Sequence, residues 1–156
     1  MKKVLFISST GGHLNELLQL KSLFNNYEYL IVTEKTKSND GLLQEYPNHV
    51  RFLKYGTKHN MLRYWYIFPF NCMKSLWLFL RYRPDVVIST GSHTAVPMCY
   101  IAHFFHKKII YIETFANIYT KTVAGKLVYP IADYFVVQWE SMLKLYPNAI
   151  YGGWIF

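Results

Sequence analysis

The stretch Ser8-Ser9-Thr10-Gly11-Gly12-His13 lies between an apolar run, Val4-Leu5-Phe6-Ile7, and a leucine-bearing one, Leu14-Asn15-Glu16-Leu17-Leu18-Gln19-Leu20. The first run reads as a buried strand, and the leucines at 14, 17 and 18 recur at helical spacing. The stretch between them is therefore the first strand-to-helix turn of an α/β sheet. Adjacent glycines permit positive φ and close approach to the main chain, and a helix N-terminus presents unpaired N–H groups with partial positive charge. Such a turn suits a phosphate, although a tight turn with no ligand would need the same glycines. The pattern is neither GxGxxG nor a phosphate loop ending in Gly-Lys-Ser/Thr, so it spells neither a dinucleotide nor an ATP site. His13 stands at the helix start, available as a base or hydrogen-bonding partner. A capping or buried structural histidine is the competing reading.

With 156 residues, 52% of them hydrophobic and 17% charged, the chain is one folded domain rather than a disordered segment. Fourteen Tyr, 11 Phe and 4 Trp exceed what one small core takes up, so some rings belong to a surface that meets lipid, sugar or protein. The net charge of +8 points to an anionic partner: nucleic acid, anionic lipid or a phosphorylated substrate. No nucleic-acid motif is recognisable and the basic residues are scattered, so nucleic acid ranks last. Cys72 and Cys99 have no metal-type or redox-type spacing and read as reduced thiols, and His59, His103 and His106 show no zinc-like partnering. No tightly held metal or cofactor is expected. Met1-Lys2-Lys3 precedes an apolar run that stops at Ile7, too short for a signal peptide.

Further along, Tyr29-Leu30-Ile31-Val32-Thr33 reads as a buried parallel strand, residues 34–48 as a long exposed loop, and Val50-Arg51-Phe52-Leu53 as a third strand. Residues 61–80 are densely aromatic, but Pro69, Asn71 and Lys74 interrupt them, so no membrane span is predicted. In the second half, Met73, Leu76, Trp77 and Leu80 fall at helical spacing and suit a helix packed on the sheet. In the first half, Tyr64, Trp65, Tyr66, Phe68 and Phe70 are too dense to face one way. With Arg63 and Lys74 they resemble an interfacial membrane segment, the alternative being core or partner packing.

Residues 84–89 form the clearest strand and enter Thr90-Gly91-Ser92-His93, a second glycine-bearing turn before a helix over 95–105. In a parallel sheet such turns share the carboxyl edge, so His13 and Gly91-Ser92-His93 are expected in one crevice. Glu113 ends the next strand, 108–112, at the same edge, where it can cap a turn, bind sugar hydroxyls or orient a histidine. A helix over 124–130, a strand over 133–137 and a short helix to Leu145 follow. The tail Tyr151-Gly152-Gly153-Trp154-Ile155-Phe156 is apolar and reads as a connection to something else.

Taken together, Ser8 to His13, Thr90-Gly91-Ser92, Tyr111-Ile112-Glu113-Thr114-Phe115-Ala116, Gly125-Lys126-Leu127, Val137-Gln138-Trp139, Tyr146-Pro147 and the tail resemble a known family. It is the acceptor-side subunit of two-piece glycosyltransferases. That family includes the eukaryotic membrane subunit of the UDP-GlcNAc transferase acting on dolichyl-pyrophosphoryl-GlcNAc, and the bacterial PssD-like capsule and exopolysaccharide proteins. The resemblance implies a Rossmann-like parallel sheet with helices on both faces, equivalent to the N-terminal lobe of a GT-B transferase such as MurG.

It further implies a separate donor-binding subunit that binds the UDP-sugar, met through Trp154, Ile155 and Phe156. A lipid-pyrophosphate-linked acceptor would lie near Thr10, Gly11, Gly12, Gly91, Ser92 and His93. Attachment to the cytoplasmic face of the membrane would be peripheral, through the aromatic-basic segment. For transfer to a hydroxyl, His13 is the candidate base and Glu113 its candidate helper. The competing readings are a non-catalytic membrane scaffold that stimulates a catalytic partner, and a flavodoxin-like module whose hydroxyl-rich phosphate contacts would have to continue past Gly12.

Overall fold

The computed structural model describes residues 1–56 and 61–155, without the side chains of residues 61–64. The chain opens with β1 (Lys3–Ser8), α1 (Gly12–Gln19), β2 (Glu28–Glu34), α2 (Leu42–Glu45), β3 (Val50–Leu53) and α3 (Met61–Tyr82). It continues through β4 (Val86–Gly91), α4 (Val96–Phe104), β5 (Lys108–Ile112), α5 (Val123–Val128), β6 (Tyr134–Val137) and β7 (Ile150–Tyr151). All seven strands are parallel, in the order β3-β2-β1-β4-β5-β6-β7.

Strand β1 alternates Val4 and Phe6 into one core and Leu5 and Ile7 into the other, which is why its sequence is apolar without a break. Leu14, Leu17 and Leu42 of α1 and α2 close the first core. Leu78 and Phe79 of α3, Met98 and Ala102 of α4, and Ala124 and Val128 of α5 close the second. The sheet is thus doubly wound, and the winding reverses between β1 and β4. At that switch point the loops leave in opposite directions and open a crevice at the carboxyl edge.

Two expectations are corrected. Residues 34–48 are not an open loop: a 3-10 turn (Lys37–Asn39) and α2 occupy them, with Asn39 and Leu42 buried. The buried Asn39 donates from Nδ2 to the Glu34 carbonyl and accepts from the Thr36 N–H, folding the segment back on β2. At the start of the tail, Tyr151 forms β7 together with Ile150 and extends the sheet beside β6, a strand the sequence reading did not include.

The second correction concerns α3, which packs on the sheet through Ile67, Asn71, Ser75, Leu78 and Phe79 and leaves Met73, Trp77 and Leu80 exposed. Both stripes have helical spacing, so periodicity alone could not choose between them. A polar side chain sets the rotation: Asn71 accepts the Lys54 N–H (2.9 Å) and donates to the Lys54 carbonyl (2.8 Å), capping the end of β3. No helix among the described residues is long and apolar enough to cross a membrane.

Replacing Asn71 would leave two main-chain groups of Lys54 without their partner. Asn71→Ala is expected to lower stability by about 1–3 kcal/mol in urea unfolding. Asn71→Leu, which restores volume but not the bonds, is expected to recover little of that loss.

Candidate functional site

The crevice is built from two turns locked to each other. The Ser9 N–H donates to the Gly91 carbonyl (2.9 Å), and Thr90 Oγ1 donates to the His13 carbonyl (2.7 Å). His13 Nδ1 lies 2.8 Å from the Thr90 carbonyl oxygen. A carbonyl only accepts, so Nδ1 carries a proton, and the tautomer this selects has its lone pair on Nε2. Gly91 has φ +97°, and a Cβ there would come within 3.1 Å of the His13 ring and of the Tyr111 hydroxyl. Only glycine admits both the backbone conformation and the imidazole.

Glu16, one helical turn beyond His13, was not singled out by the sequence reading. Its Oε1 accepts from Thr114 Oγ1 (2.8 Å) and the Phe115 N–H (3.1 Å), which joins α1 to the loop after β5. Its Oε2 is buried without a hydrogen-bond partner and sits 3.8 Å from His13 Nδ1. A carboxylate so held stabilises the charge that appears when the ring takes a second proton. The available signal was the i, i+3 spacing of the pair.

Glu113, the expected helper, lies elsewhere. It is 1% exposed and accepts from Thr122 Oγ1, Tyr146 Oη (2.9 Å) and the Thr114 N–H. Thr122 caps α5 through the Gly125 N–H, and a Cβ on Gly125 would collide with Glu113 Oε2. Of its three possible roles, Glu113 takes the first, capping the turn, and the carboxylate beside His13 is Glu16.

A second buried acid also escaped the sequence reading. Glu34 ends β2 as Glu113 follows β5, accepts from Thr94 Oγ1 (2.8 Å) and lies 3.7 Å from His93 Nε2. Its signal was an acid closing an apolar run, the one that drew attention to Glu113. Ser92 Oγ accepts from the His93 N–H, and Thr10 Oγ1 pairs with Thr36 Oγ1 (3.2 Å) at the crevice mouth. No side chain caps α1 after Gly11, so Gly12 opens a helix whose first N–H groups stay available. Thr10, Gly11, Gly12, His13, Gly91, Ser92 and His93 therefore gather at one edge. Among the described residues no three His, Cys, Asp or Glu side chains converge on a metal position.

On the outer face of α3, Trp65 (74% exposed), Tyr66, Phe68 and Phe70 project outward with Met73 and Trp77, while Lys74 is half-buried. The side chains of Arg63 and Tyr64, and all of His59 and Phe156, lie outside the described residues. In the tail, Ile155 packs on the first core, and its N–H reaches Gln138 Oε1. Trp154, 74% exposed, packs edge-on against Phe115, the residue whose N–H holds Glu16.

This fold is the Rossmann-like fold of GT-B N-terminal lobes. Acinetobacter baumannii MurG superposes with a TM-score of 0.73 at 14% identity, over 90% of this chain and 43% of that one. The S. aureus MnaA–UDP structure gives 0.74 at 18% identity, over 97% and 43%. The chain thus spans less than half the length of these solved structures.

Residues 4–155 match the family described as "Oligosaccharide biosynthesis protein Alg14 like", and the chain belongs to it. The Mus musculus UDP-N-acetylglucosamine transferase subunit ALG14 is 29% identical over 97% of this chain and 82% of its own length. The Schizosaccharomyces pombe subunit of that name is 28% identical over the same shares.

Two outcomes follow from the buried polar groups. Gly91→Ala is expected to cost more than about 1 kcal/mol in urea unfolding and to shift the His13 ring resonances, because the methyl meets the imidazole. Burial, with the charge and hydrogen bond of Glu113, pushes the Tyr146 hydroxyl well above its usual value of 10.0. The folded state then holds a proton that the unfolded state releases, so this contribution is complete below about pH 10 and is lost as pH rises further. Stability measured against pH above 10 is expected to fall, and less steeply in Tyr146→Phe.

Proposed function

We propose that this chain is the acceptor-side half of a two-component, UDP-sugar-dependent glycosyltransferase. It binds a lipid-pyrophosphate-linked acceptor at the cytoplasmic face of a membrane, in the assembly of a capsular or extracellular polysaccharide. A separate subunit supplies most of the UDP-sugar site. The observation that carries this reading is the match along 97% of the chain to proteins named as UDP-N-acetylglucosamine transferase subunits. The crevice adds a chemical rationale, and the polysaccharide setting rests on the resemblance to PssD-like proteins.

In the reaction, the acceptor hydroxyl forms a bond to the anomeric carbon of the donor sugar while the bond to the UDP oxygen breaks. His13 Nε2 takes the hydroxyl proton, and Glu16 Oε2 beside the ring balances the imidazolium. Inversion at the anomeric carbon is the stereochemistry that a single displacement gives. The exposed rings of α3 rest at headgroup depth on the bilayer, and the Trp154 tail meets the donor-binding subunit. The tail touches Phe115, which holds Glu16, so docking there bears on the base as well as on assembly.

The test is sugar transfer from labelled UDP-sugars to membrane lipid acceptor by this chain, the donor-binding subunit, and both together. Activity is expected only with both. His13→Ala is expected to reduce kcat of the pair by about a hundredfold or more while co-purification with the partner is kept. His13→Asn, whose amide nitrogen stands where Nδ1 does and can keep the bond to Thr90 but not act as a base, should be equally impaired. Full activity in both variants would leave a scaffold, in which changes to the aromatic face or tail hurt more than changes to His13. Equal activity with and without this chain would reduce it to an anchor.

A further inference from the structure

A groove of about 550 Å³ lies between the carboxyl ends of β2 and β3 and the first half of α3. Its walls carry Lys35, Lys54 and Lys74 together with Tyr55, Tyr66 and Phe70. No acidic residue is among the described residues that line it. Among the described residues, none of the three lysines forms an ion pair.

Two of these cations are held on aromatic faces: Lys54 Nζ lies 3.9 Å from the Phe70 ring centroid and Lys35 Nζ 6.0 Å from that of Phe52. The main chain beneath them is fixed, since the Lys35 N–H donates to the Leu53 carbonyl and Asn71 binds both main-chain groups of Lys54. Three unneutralised ammonium groups in one concave wall repel each other, and an anion relieves that repulsion.

We propose that this groove holds the diphosphate of a diphosphate-headed lipid, the start of its apolar chain lying along Tyr66 and Phe70. Charge complementarity favours a diphosphate, which carries charge enough for several ammonium groups, over a glycerophospholipid head with a single one. The apolar part of the ligand is argued from continuity. Tyr66 and Phe70 line the groove and also belong to the exposed aromatic face of α3, so a chain leaving the groove along these two rings enters that face. In the other direction, Thr36 follows Lys35 and pairs with Thr10 at the mouth of the glycine turn. A sugar carried on the diphosphate is thereby directed toward His13. The inference rests on the transferase reading above and divides the labour within it: the lysine groove takes the phosphates, and the glycine turn faces the reacting hydroxyl.

The experiment uses the chain with its donor-binding subunit and compares wild type with Lys35→Gln, Lys54→Gln, Lys74→Gln and the triple variant, each checked by thermal unfolding. Farnesyl diphosphate is expected to bind wild type and to bind the triple variant at least about tenfold more weakly. In transfer assays KM for the lipid acceptor is expected to rise while KM for the UDP-sugar and co-purification with the partner stay unchanged. Competition by UDP as strong as by farnesyl diphosphate would assign the groove to the donor and overturn the proposal. Phosphatidylglycerol vesicles that displace farnesyl diphosphate as well as diphosphate-lipid vesicles do would reduce it to a general anionic surface. Unchanged binding and KM in the folded triple variant, with wild-type transfer intact, would refute the groove and leave the transferase reading standing. Absence of transfer by wild type with its partner would refute that reading instead.

Discussion

The lock between the turns after β1 and β4 is the constraint from which the rest of the carboxyl edge is built. Three hydrogen bonds join Ser9, His13, Thr90 and Gly91, and one of them fixes the imidazole tautomer. Because His13 packs where a side chain on residue 91 would stand, the second turn is shaped around the first. The histidine is therefore held by the sheet's switch point rather than by a mobile loop, and its Nε2 is aimed by main-chain geometry that β1 and β4 pairing sets.

Around this lock, buried carboxylates do structural work at both sides. Glu34 binds Thr94, and Glu113 binds Thr122, Tyr146 and the Thr114 N–H. A buried carboxylate is costly unless it is hydrogen-bonded, and hydroxyl donors contribute such bonds at both sites. Glu16 differs, with one oxygen engaged and the other left beside the His13 ring. That unspent acceptor beside an imidazole sets Glu16 apart from Glu113, whose carboxylate is taken up by Thr122, Tyr146 and the Thr114 N–H.

The flank of the crevice follows a different logic. Asn71 pins α3 to the end of β3 and thereby decides which residues of α3 face out. The outcome is an aromatic exterior continuous with a lysine-lined groove, beside a mouth of hydroxyl groups at Thr10 and Thr36. An apolar face, a cationic groove and a hydroxyl-bearing mouth thus adjoin one another on this flank. The tail reaches the other side of the same crevice, where Trp154 meets Phe115.

The sequence by itself determined the parallel α/β sheet, the two glycine turns and their convergence, because unbroken apolar runs and strand-to-helix turns are local patterns with one common packing solution. His13 and Gly91 were legible for that reason, and so was the aromatic character of the segment 61–80. The tertiary structure alone decided which acid stands beside His13. Glu113 and Glu34 end strands in equivalent places, yet both are consumed by hydroxyls distant in sequence, while Glu16 is carried to the ring by the turn of its own helix. It also decided the rotation of α3, since two stripes of equal period compete and a single buried amide breaks the tie. The short β7 had too few residues to show a period, and its pairing with β6 exists only once the sheet offers an edge. Local pattern sets what each element is, and long-range hydrogen bonds set which of its faces the rest of the molecule meets.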